Sequence, residues 1–352
     1  MTRLKRNVHH AWVLRFLFFG AVTKMVTVFL YSIILYITRY NPIFCDLKFL
    51  VMQKTVSILI GILFINTIQA FSSDNIPSFK EFNQAKNPVA LLVLFDGAPG
   101  YAQHIPTETT IPFEAQSSNI QFIGINQNEL FLSDTIYDRI KATIEFCMKK
   151  YKIPNDNILL GGFSLGGYTV FRFAEMAKEK GDIKLIPRAI VGVDPMLDHL
   201  AVFNYAIKEI NRDCQNEGSQ KYGKPEAIWL KDYYLNNFGS PDTNSAVYIS
   251  RSCYSPHLRD GGNAKLLLDI PIRIYHELDL MWYIKERCRD VTDENVIVGS
   301  QMINFLYNHG NKNVILIETH DKGKRADGRR HPHSWSIADP KETVDWLKGF
   351  IK

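Results

Sequence analysis

The stretch GGFSLGGY, residues 161–168, decides the fold of this chain. A short apolar run, residues 157–160, precedes it, and a helical pattern follows over residues 168–180. Together they predict a strand, a sharp turn and a helix, with Ser164 on the turn. Gly162 and Gly166 flank the serine because side chains there would collide with the neighbouring strand and helix. Such a turn lifts the serine hydroxyl clear of the sheet, where it can react.

The bulk properties set broad limits on the class of protein. The chain has 352 residues, of which 46% are hydrophobic, and its formal net charge is +5. This length allows one large domain plus an additional segment, and the composition supports a sizeable core. The small charge gives no indication of a nucleic-acid partner. The sequence contains no P-loop, no Cys-x-x-Cys motif and no His-Glu-x-x-His motif.

Two apolar segments precede the body of the chain. The first, residues 25–38, is short for a membrane span. The second begins at Met52 and combines a basic Lys54, an apolar run over residues 56–65 and a small residue, Ala70, at the expected cleavage point. This pattern is typical of a secretory signal peptide, so we expect export to the periplasm or the exterior. Residues 1–51 are then a spurious extension or a membrane segment; the alternative for residues 52–70 is a membrane anchor.

The body, residues 75–352, alternates apolar runs with helical patterns. After a polar lead-in to residue 87, strands are predicted at residues 88–95, 120–125, 157–160, 189–193, 270–275 and 313–318. Strands and helices in this alternation predict an α/β fold with a doubly wound, mostly parallel sheet. The pattern breaks over residues 197–263, where helices are predicted at 202–212 and 224–237, followed by a polar stretch. We interpret this insertion as a helical cap over the carboxyl ends of the strands.

The cysteines suit an exported domain. Cys147 falls on the apolar face of a predicted helix and is expected to be a buried thiol. Cys214 and Cys253 are the pair that we expect to form a disulfide.

The order of reactive residues along the chain points to nucleophilic catalysis. A serine needs a base to take its proton, histidine is suited to that role, and a carboxylate fixes the histidine tautomer. For the base we favour His333, with His331 and His320 as alternatives. For the acid we favour Asp279, just past the end of a predicted strand. The alternative acids are Asp194 and Glu277, whereas His276 is expected to be structural.

An oxyanion needs backbone N–H donors near the serine. The turn places the N–H of Leu165 at a helix N-terminus, where negative charge is stabilised. The loop Asp96-Gly97-Ala98 follows an early buried strand, where a second donor is expected. We assign that role to the N–H of Gly97 or Ala98.

The region from Pro88 to Lys352 resembles the α/β-hydrolase superfamily of esterases, lipases and related peptidases. The resemblance lies in Gly162-Phe163-Ser164-Leu165-Gly166, the Asp96-Gly97 loop, Asp279 and His333-Ser334-Trp335. It implies a serine hydrolase that needs no cofactor, with Ser164 as nucleophile, His333 as base and Asp279 as the orienting acid. The clustered histidines lack the carboxylate or cysteine spacing of a metal site, so no metal is expected. The loop reads Asp96-Gly97 where many members have His-Gly.

The predicted function is an exported serine hydrolase that cleaves carboxylic esters through an acyl-serine intermediate. A small-molecule or lipid ester is the expected substrate, and the N-terminal apolar segments could add membrane association. The alternatives are a serine peptidase or an acyltransferase of the same fold, and an inactive hydrolase-fold binding protein.

Overall fold

The computed structural model describes residues 79–82, 84–98, 100–127, 129–154 and 156–352. The predictions for residues 1–51 and 52–70, the apolar extension and the signal peptide or anchor, lie outside these residues. Within the described ranges, no helix has both the length and the apolar character that crossing a membrane requires.

A seven-stranded sheet forms the centre of the molecule. The strands are β1 (Phe79–Glu81), β2 (Ala90–Phe95), β3 (Ile120–Ile125), β4 (Ile158–Phe163), β5 (Ala189–Val193), β6 (Ile272–Glu277) and β7 (Val314–Thr319). Their spatial order is β1-β3-β2-β4-β5-β6-β7, and every pair is parallel except β1 with β3. The predicted α/β class with a mostly parallel sheet is confirmed.

The short antiparallel strand β1 departs from the prediction, which had a polar, irregular lead-in here. Its three residues, Phe-Lys-Glu, carry one apolar side chain, and only backbone pairing of Phe79 with Ile125 and of Glu81 with Ile123 defines it. A strand this short has no hydrophobic period that the sequence could reveal.

Ten helices of the described residues flank or cover the sheet. They are α1 (Ile105–Glu108), α2 (Ile111–Ser117), α3 (Asp134–Tyr151), α4 (Leu165–Lys180), α5 (His199–Asn211), α6 (Lys224–Asn237), α7 (Pro241–Arg251), α8 (Leu280–Arg287), α9 (Val296–Asn308) and α10 (Pro340–Lys348).

The apolar run of β2 is buried on both faces of the sheet. Leu91, Val93 and Phe95 belong to a core that includes α3 and α4, whereas Leu92 and Leu94 belong to a core on the opposite face, with α2 and α10. Because both faces of the strand are buried, its sequence is a continuous apolar run and does not alternate between apolar and polar residues. The sheet is therefore covered by helices on both sides.

The insertion between β5 and β6 contains α5 and α6, as predicted, and a third helix that the prediction missed. Helix α7 occupies the stretch that was expected to be irregular and polar. Ser240 caps it by accepting a hydrogen bond from Asp242 N, and Pro241 stands at its first position. Its Tyr248 is buried against Phe203, in an aromatic cluster that joins the three helices. One inward-facing aromatic residue was too little periodicity to predict this helix.

The disulfide expected between Cys214 and Cys253 is wrong. Cys214 instead bonds to Cys288, the residue that follows α8. Cys253 is a buried free thiol whose Sγ lies 3.4 Å from the carbonyl oxygen of Tyr168, and burial raises its pKa well above the usual value. Cys147 is also a buried free thiol, as predicted. The disulfide thus ties the insertion to the segment after β6.

Candidate active site

Ser164 lies on a strained turn between β4 and α4. Its backbone has φ 54° and ψ −116°, a conformation that non-glycine residues rarely adopt. A Cβ at Gly162 would lie 2.1 Å from the carbonyl oxygen of Gly166, and a Cβ at Gly166 would lie 2.1 Å from the carbonyl oxygen of Phe95. Both contacts are with backbone, which cannot give way. The turn therefore requires glycine at both positions, as the sequence predicted.

His333 lies in the long loop between β7 and α10, and its partner is Asp194 at the end of β5. His333 Nδ1 is hydrogen-bonded to Asp194 Oδ2. Because Nδ1 is engaged, Nε2 is the nitrogen left for proton transfer. Ser164 and His333 line one cavity, and the His333 ring packs 4.6 Å from the ring of Phe163, the residue before the serine. Between these described residues, no hydrogen bond yet joins the serine hydroxyl to the histidine.

The carboxylate on His333 is thus Asp194, one of the two alternative acids, and not the favoured Asp279. Asp194 has a positive φ of 44° and is buried. Its other oxygen, Oδ1, lies 2.6 Å from Nδ1 of the buried His276. Burial raises the pKa of Asp194, but the two histidines outweigh it and hold that pKa below its usual range. Asp194 is therefore an ionised carboxylate held between two imidazoles.

Asp279 is occupied elsewhere. Its Oδ1 accepts a hydrogen bond of 3.0 Å from Trp282 N at the start of α8, so it is the N-cap of that helix. Its Oδ2 lies 2.8 Å from Arg330 Nη2. Glu277, the other alternative acid, lies 2.5 Å from the same guanidinium nitrogen. The structure does not bring either carboxylate to His333.

Neither alternative base, His331 or His320, is hydrogen-bonded to Asp194 among the described residues. His331 packs 4.8 Å from the ring of Trp282, and burial, with Arg325 and His333 nearby, lowers its pKa to about 2. The side chain of His320 is 72% exposed, and its Nε2 lies 3.9 Å from Glu318. Among the described residues, no group of three or more His, Cys, Asp or Glu side chains could hold a metal ion.

The three predicted oxyanion donors differ in availability. Gly97 lies close to the turn, since a Cβ there would meet Phe163 at 2.9 Å and Ser164 Cβ at 3.3 Å. However, the Gly97 N–H donates a 2.9 Å hydrogen bond to Asp96 Oδ1. Ala98 and Leu165 both line the cavity with the serine, and Leu165 is the first residue of α4, whose N–H has no intrahelical acceptor. The Ala98 and Leu165 amides are the better candidates.

Asp96 connects this loop to the histidine loop. Its Oδ1 also accepts a 2.8 Å hydrogen bond from the indole Nε1 of Trp335, two residues after His333. Burial raises the pKa of Asp96, and the bonds from Trp335 and Gly97 partly oppose that effect. The aspartate that replaces the commoner histidine of this loop therefore fixes the position of both loops.

No protein-family model matches the sequence, and no curated protein matches it significantly. Solved structures do match. An esterase of the bacterial hormone-sensitive lipase family is 13% identical with a TM-score of 0.47, over 78% of this chain and 85% of that chain. A thermophilic carboxylesterase, EstE1, from a metagenomic library is 10% identical, with a TM-score of 0.48, over 80% of this chain and 93% of its own. Carboxyl esterase 2 of Tuber melanosporum is 13% identical with a TM-score of 0.45, and the match covers 76% of this chain and 79% of that esterase.

The mostly parallel sheet and the strand, sharp turn and helix around Ser164 match the α/β-hydrolase arrangement. The serine turn follows β4 in the middle of the sheet, Asp194 follows β5 and His333 follows β7. The three residues thus follow the Ser, Asp, His chain order that α/β-hydrolases use, and the aspartate that contacts His333 lies one strand earlier than expected.

The cavity beside Ser164 measures about 1420 Å³. Ser164 and His333 stand on one wall, and apolar side chains of the insertion, including Val202, Trp229 and Leu230, stand on another. Pockets for small ligands span roughly 300–1,000 Å³. The space is therefore ample for a small molecule.

Glu294 is a half-buried acid on this cavity that the sequence did not single out. Burial raises its pKa to about 8, Arg289 opposes the rise and Asp194 adds to it. Its Oε1 has no hydrogen-bond partner among the described residues. A pKa of about 8 favours the neutral form of this carboxyl group at pH 7, which lowers the repulsion from the ionised Asp194.

Proposed function

We propose that this protein is a serine hydrolase that cleaves carboxylic esters through an acyl-serine intermediate. The observation that carries the proposal is the hydrogen bond from His333 to Asp194, with Ser164 on a strained turn of the same cavity. Ser164 is the nucleophile, His333 the general base and Asp194 the carboxylate that orients it. The proposal replaces Asp279 with Asp194 and keeps the other two predicted residues.

The first half of the reaction acylates the serine. His333 Nε2 takes the proton of the Ser164 hydroxyl as Oγ attacks the ester carbonyl carbon, and a tetrahedral oxyanion forms. The N–H groups of Leu165 and Ala98 stabilise that oxyanion, aided by the N-terminus of α4. Collapse breaks the carbon–oxygen bond to the alcohol, which leaves with the proton from His333.

The second half releases the acid. A water molecule attacks the acyl carbon while His333 takes one of its protons, and the second tetrahedral intermediate collapses to a carboxylic acid and the free serine. Asp194 stabilises the imidazolium in both halves. His276 holds the second oxygen of Asp194, so it fixes the carboxylate orientation without touching the substrate.

The site favours esters over amides on chemical grounds. An alkoxide or phenoxide leaves without the strong protonation that an amine requires, so this triad suffices for an ester. A serine peptidase and an acyltransferase remain the rival activities, because both use the same three groups. A panel of substrates separates them.

We also propose that the protein is exported, through the signal-like segment that begins at Met52. The disulfide between Cys214 and Cys288 supports this proposal, because such bonds persist in oxidising compartments. An uncleaved anchor is the alternative. Mass spectrometry of the protein recovered from the native host tests this: a mature N-terminus near Phe71 supports export with cleavage, whereas an intact Met52 segment in the membrane fraction contradicts it.

The test of the activity is a comparison of matched leaving groups. p-Nitrophenyl esters with acyl chains of two to eight carbons are offered beside the corresponding p-nitroanilides and beside an added alcohol acceptor. Ester hydrolysis that exceeds anilide hydrolysis, with free acid as the main product, supports an ester hydrolase. Faster anilide cleavage would support a peptidase, and acyl transfer to the alcohol would support a transferase. A folded protein that turns over none of them would indicate a binding protein.

A further inference from the structure

The loop that carries His333 is held rigidly against the sheet. The N–H groups of Lys322 and Gly323 donate hydrogen bonds of 3.0 and 2.9 Å to Oε2 of the buried Glu277. Arg330 donates a 2.9 Å hydrogen bond to the carbonyl oxygen of Gly323, and Lys324 pairs with Arg330 in an antiparallel bridge. The residue that follows Lys324 is therefore presented at a fixed position.

That residue is Arg325, and it lies beside the serine turn. Its guanidinium carbon is 5.5 Å from the centre of the Phe163 ring, and its side chain lines the cavity together with Ser164, Ala98 and Tyr101. It is only partly exposed. The stacking on Phe163 holds the flat guanidinium near the reacting atoms but uses none of its N–H donors.

Arg325 differs from the other two arginines of this loop, Arg329 and Arg330, in having no partner for its charge. Arg330 is paired with Glu277 and Asp279, and Arg329 is paired with Asp327. Among the described residues, no acceptor lies within hydrogen-bond or ion-pair distance of the Arg325 guanidinium. The carboxylates of Glu108 and Asp96 attract it from farther away.

An arginine in this position is costly unless something occupies its donors. A guanidinium has five N–H groups in a planar fork and stays protonated in proteins, so partial burial without an acceptor is unfavourable. A carboxylate or a phosphate satisfies two of these donors at once. Asp96 cannot move to do so, because its Oδ1 is held by Trp335 and Gly97.

We propose that Arg325 binds an anionic group of the substrate, so that the substrates are esters that also carry a carboxylate or a phosphate. The inference rests on the proposed function, and it names the class of ester that the site takes. The Phe163 ring positions the guanidinium, and the apolar wall of the insertion covers the rest of the molecule. A neutral ester of the same size reaches the serine but leaves the arginine unsatisfied.

The kinetic test compares p-nitrophenyl hemiglutarate with p-nitrophenyl pentanoate, which has the same chain length but no charge. The full-length protein and its Arg325→Gln variant are assayed at low salt. We expect Arg325→Gln to lower kcat/KM for the hemiglutarate by about 10- to 100-fold, the range for a charge-assisted hydrogen bond, and to change that for the pentanoate by less than about threefold. The control is Lys324→Gln, an exposed lysine of the same loop, which should leave the ratio of the two substrates unchanged.

A binding measurement separates this inference from the proposed function. Glutarate and inorganic phosphate are titrated calorimetrically into the wild-type protein, Ser164→Ala and Arg325→Gln. Anion binding by the wild-type protein and by Ser164→Ala that is lost in Arg325→Gln supports the proposed anion site even if no ester is cleaved. The anion that binds more tightly shows whether the site prefers a carboxylate or a phosphate. The proposal would be overturned if Arg325→Gln lowered kcat/KM equally for both esters, if it lowered kcat/KM for neither, or if anion binding did not depend on Arg325. Thermal unfolding confirms that each variant is folded.

Discussion

Replacing Asp194 with asparagine tests which carboxylate serves His333. The two oxygens of Asp194 accept from Nδ1 of His333 and Nδ1 of His276. An asparagine keeps the size but offers one accepting oxygen and one donating NH₂. One of the two histidines must then give up its Nδ1 proton. If His333 does so, its proton moves to Nε2 and it can no longer take the serine proton.

The expected loss follows from that change of tautomer. Replacing the triad aspartate with asparagine costs roughly 10⁴-fold in kcat in a serine protease, and we expect 10³- to 10⁴-fold here, or about 4–5.5 kcal/mol of transition-state stabilisation. Because the histidines hold the pKa of Asp194 below its usual range, the carboxylate is ionised over the whole neutral range. The loss should therefore persist from about pH 6 to pH 9.

The matched control is Asp279→Asn, since asparagine can still cap α8. The partly exposed ion pair with Arg330 is lost, and the effect on kcat/KM should stay within about fivefold. Both variants are assayed on p-nitrophenyl butyrate, with thermal unfolding as the check on folding. A loss of 10³-fold in Asp279→Asn together with a near-normal Asp194→Asn would refute the assignment.

Three further perturbations test other parts of the structure. Gly166→Ala places a methyl group 2.1 Å from the backbone oxygen of Phe95, so thermal denaturation should show a free energy of unfolding lower by several kcal/mol, or no folded protein. The control is Gly349→Ala, whose methyl group would lie 3.2 Å from its nearest atom, the Trp346 carbonyl oxygen, and should be tolerated. Cys214→Ser with Cys288→Ser opens a loop with a sequence separation of 74, which should lower the free energy of unfolding by about 4 kcal/mol in urea; an unchanged midpoint would contradict this. The pKa of Glu294 is raised to about 8 in the folded state. Its contribution to the free energy of unfolding is therefore fully present below about pH 4 and is lost as the pH rises toward 8. Glu294→Gln should therefore match the wild type near pH 4 and exceed it by a few kcal/mol at pH 9; a constant difference across that range would exclude the raised pKa.

The sheet and the serine turn were predictable because each carries a strong local signal. The run over residues 88–95 is buried on both faces, so it appears in the sequence without alternation. Gly162 and Gly166 are required by backbone contacts of 2.1 Å within the turn itself and with the adjacent strand. His333 was favoured because His333-Ser334-Trp335 resembles the histidine-aromatic end of many esterases. In each case the structure depends on residues close in sequence or on one long apolar run.

The carboxylate that contacts His333 is not the one predicted, because that contact depends on geometry between distant strands. Asp194 and Asp279 both follow a strand, and the sequence does not show which carboxylate reaches the loop after β7. One local signal was available: Asp279 immediately precedes a helix, and an aspartate there is used as a cap. Its guanidinium partner, Arg330, lies 51 residues away and could not be assigned from spacing.

The predicted disulfide pairing was also wrong because it depends on contacts between distant parts of the chain. Cys214 and Cys253, the predicted pair, both lie in the insertion between β5 and β6. The chain instead brings Cys288, at the end of α8, to Cys214, while Cys253 packs into the core against Tyr168. Pairings between separate segments are set by the tertiary fold, and composition alone does not reveal them.

The central claim is that Ser164 is a nucleophile activated by His333 and Asp194. The most direct measurement is mass spectrometry of the protein after treatment with a fluorophosphonate, beside Ser164→Ala and His333→Ala. The account predicts one adduct on the peptide that contains Ser164, absent from Ser164→Ala and formed at least 10²-fold more slowly in His333→Ala. A folded wild-type protein that is not labelled, or is labelled at another serine, would contradict it.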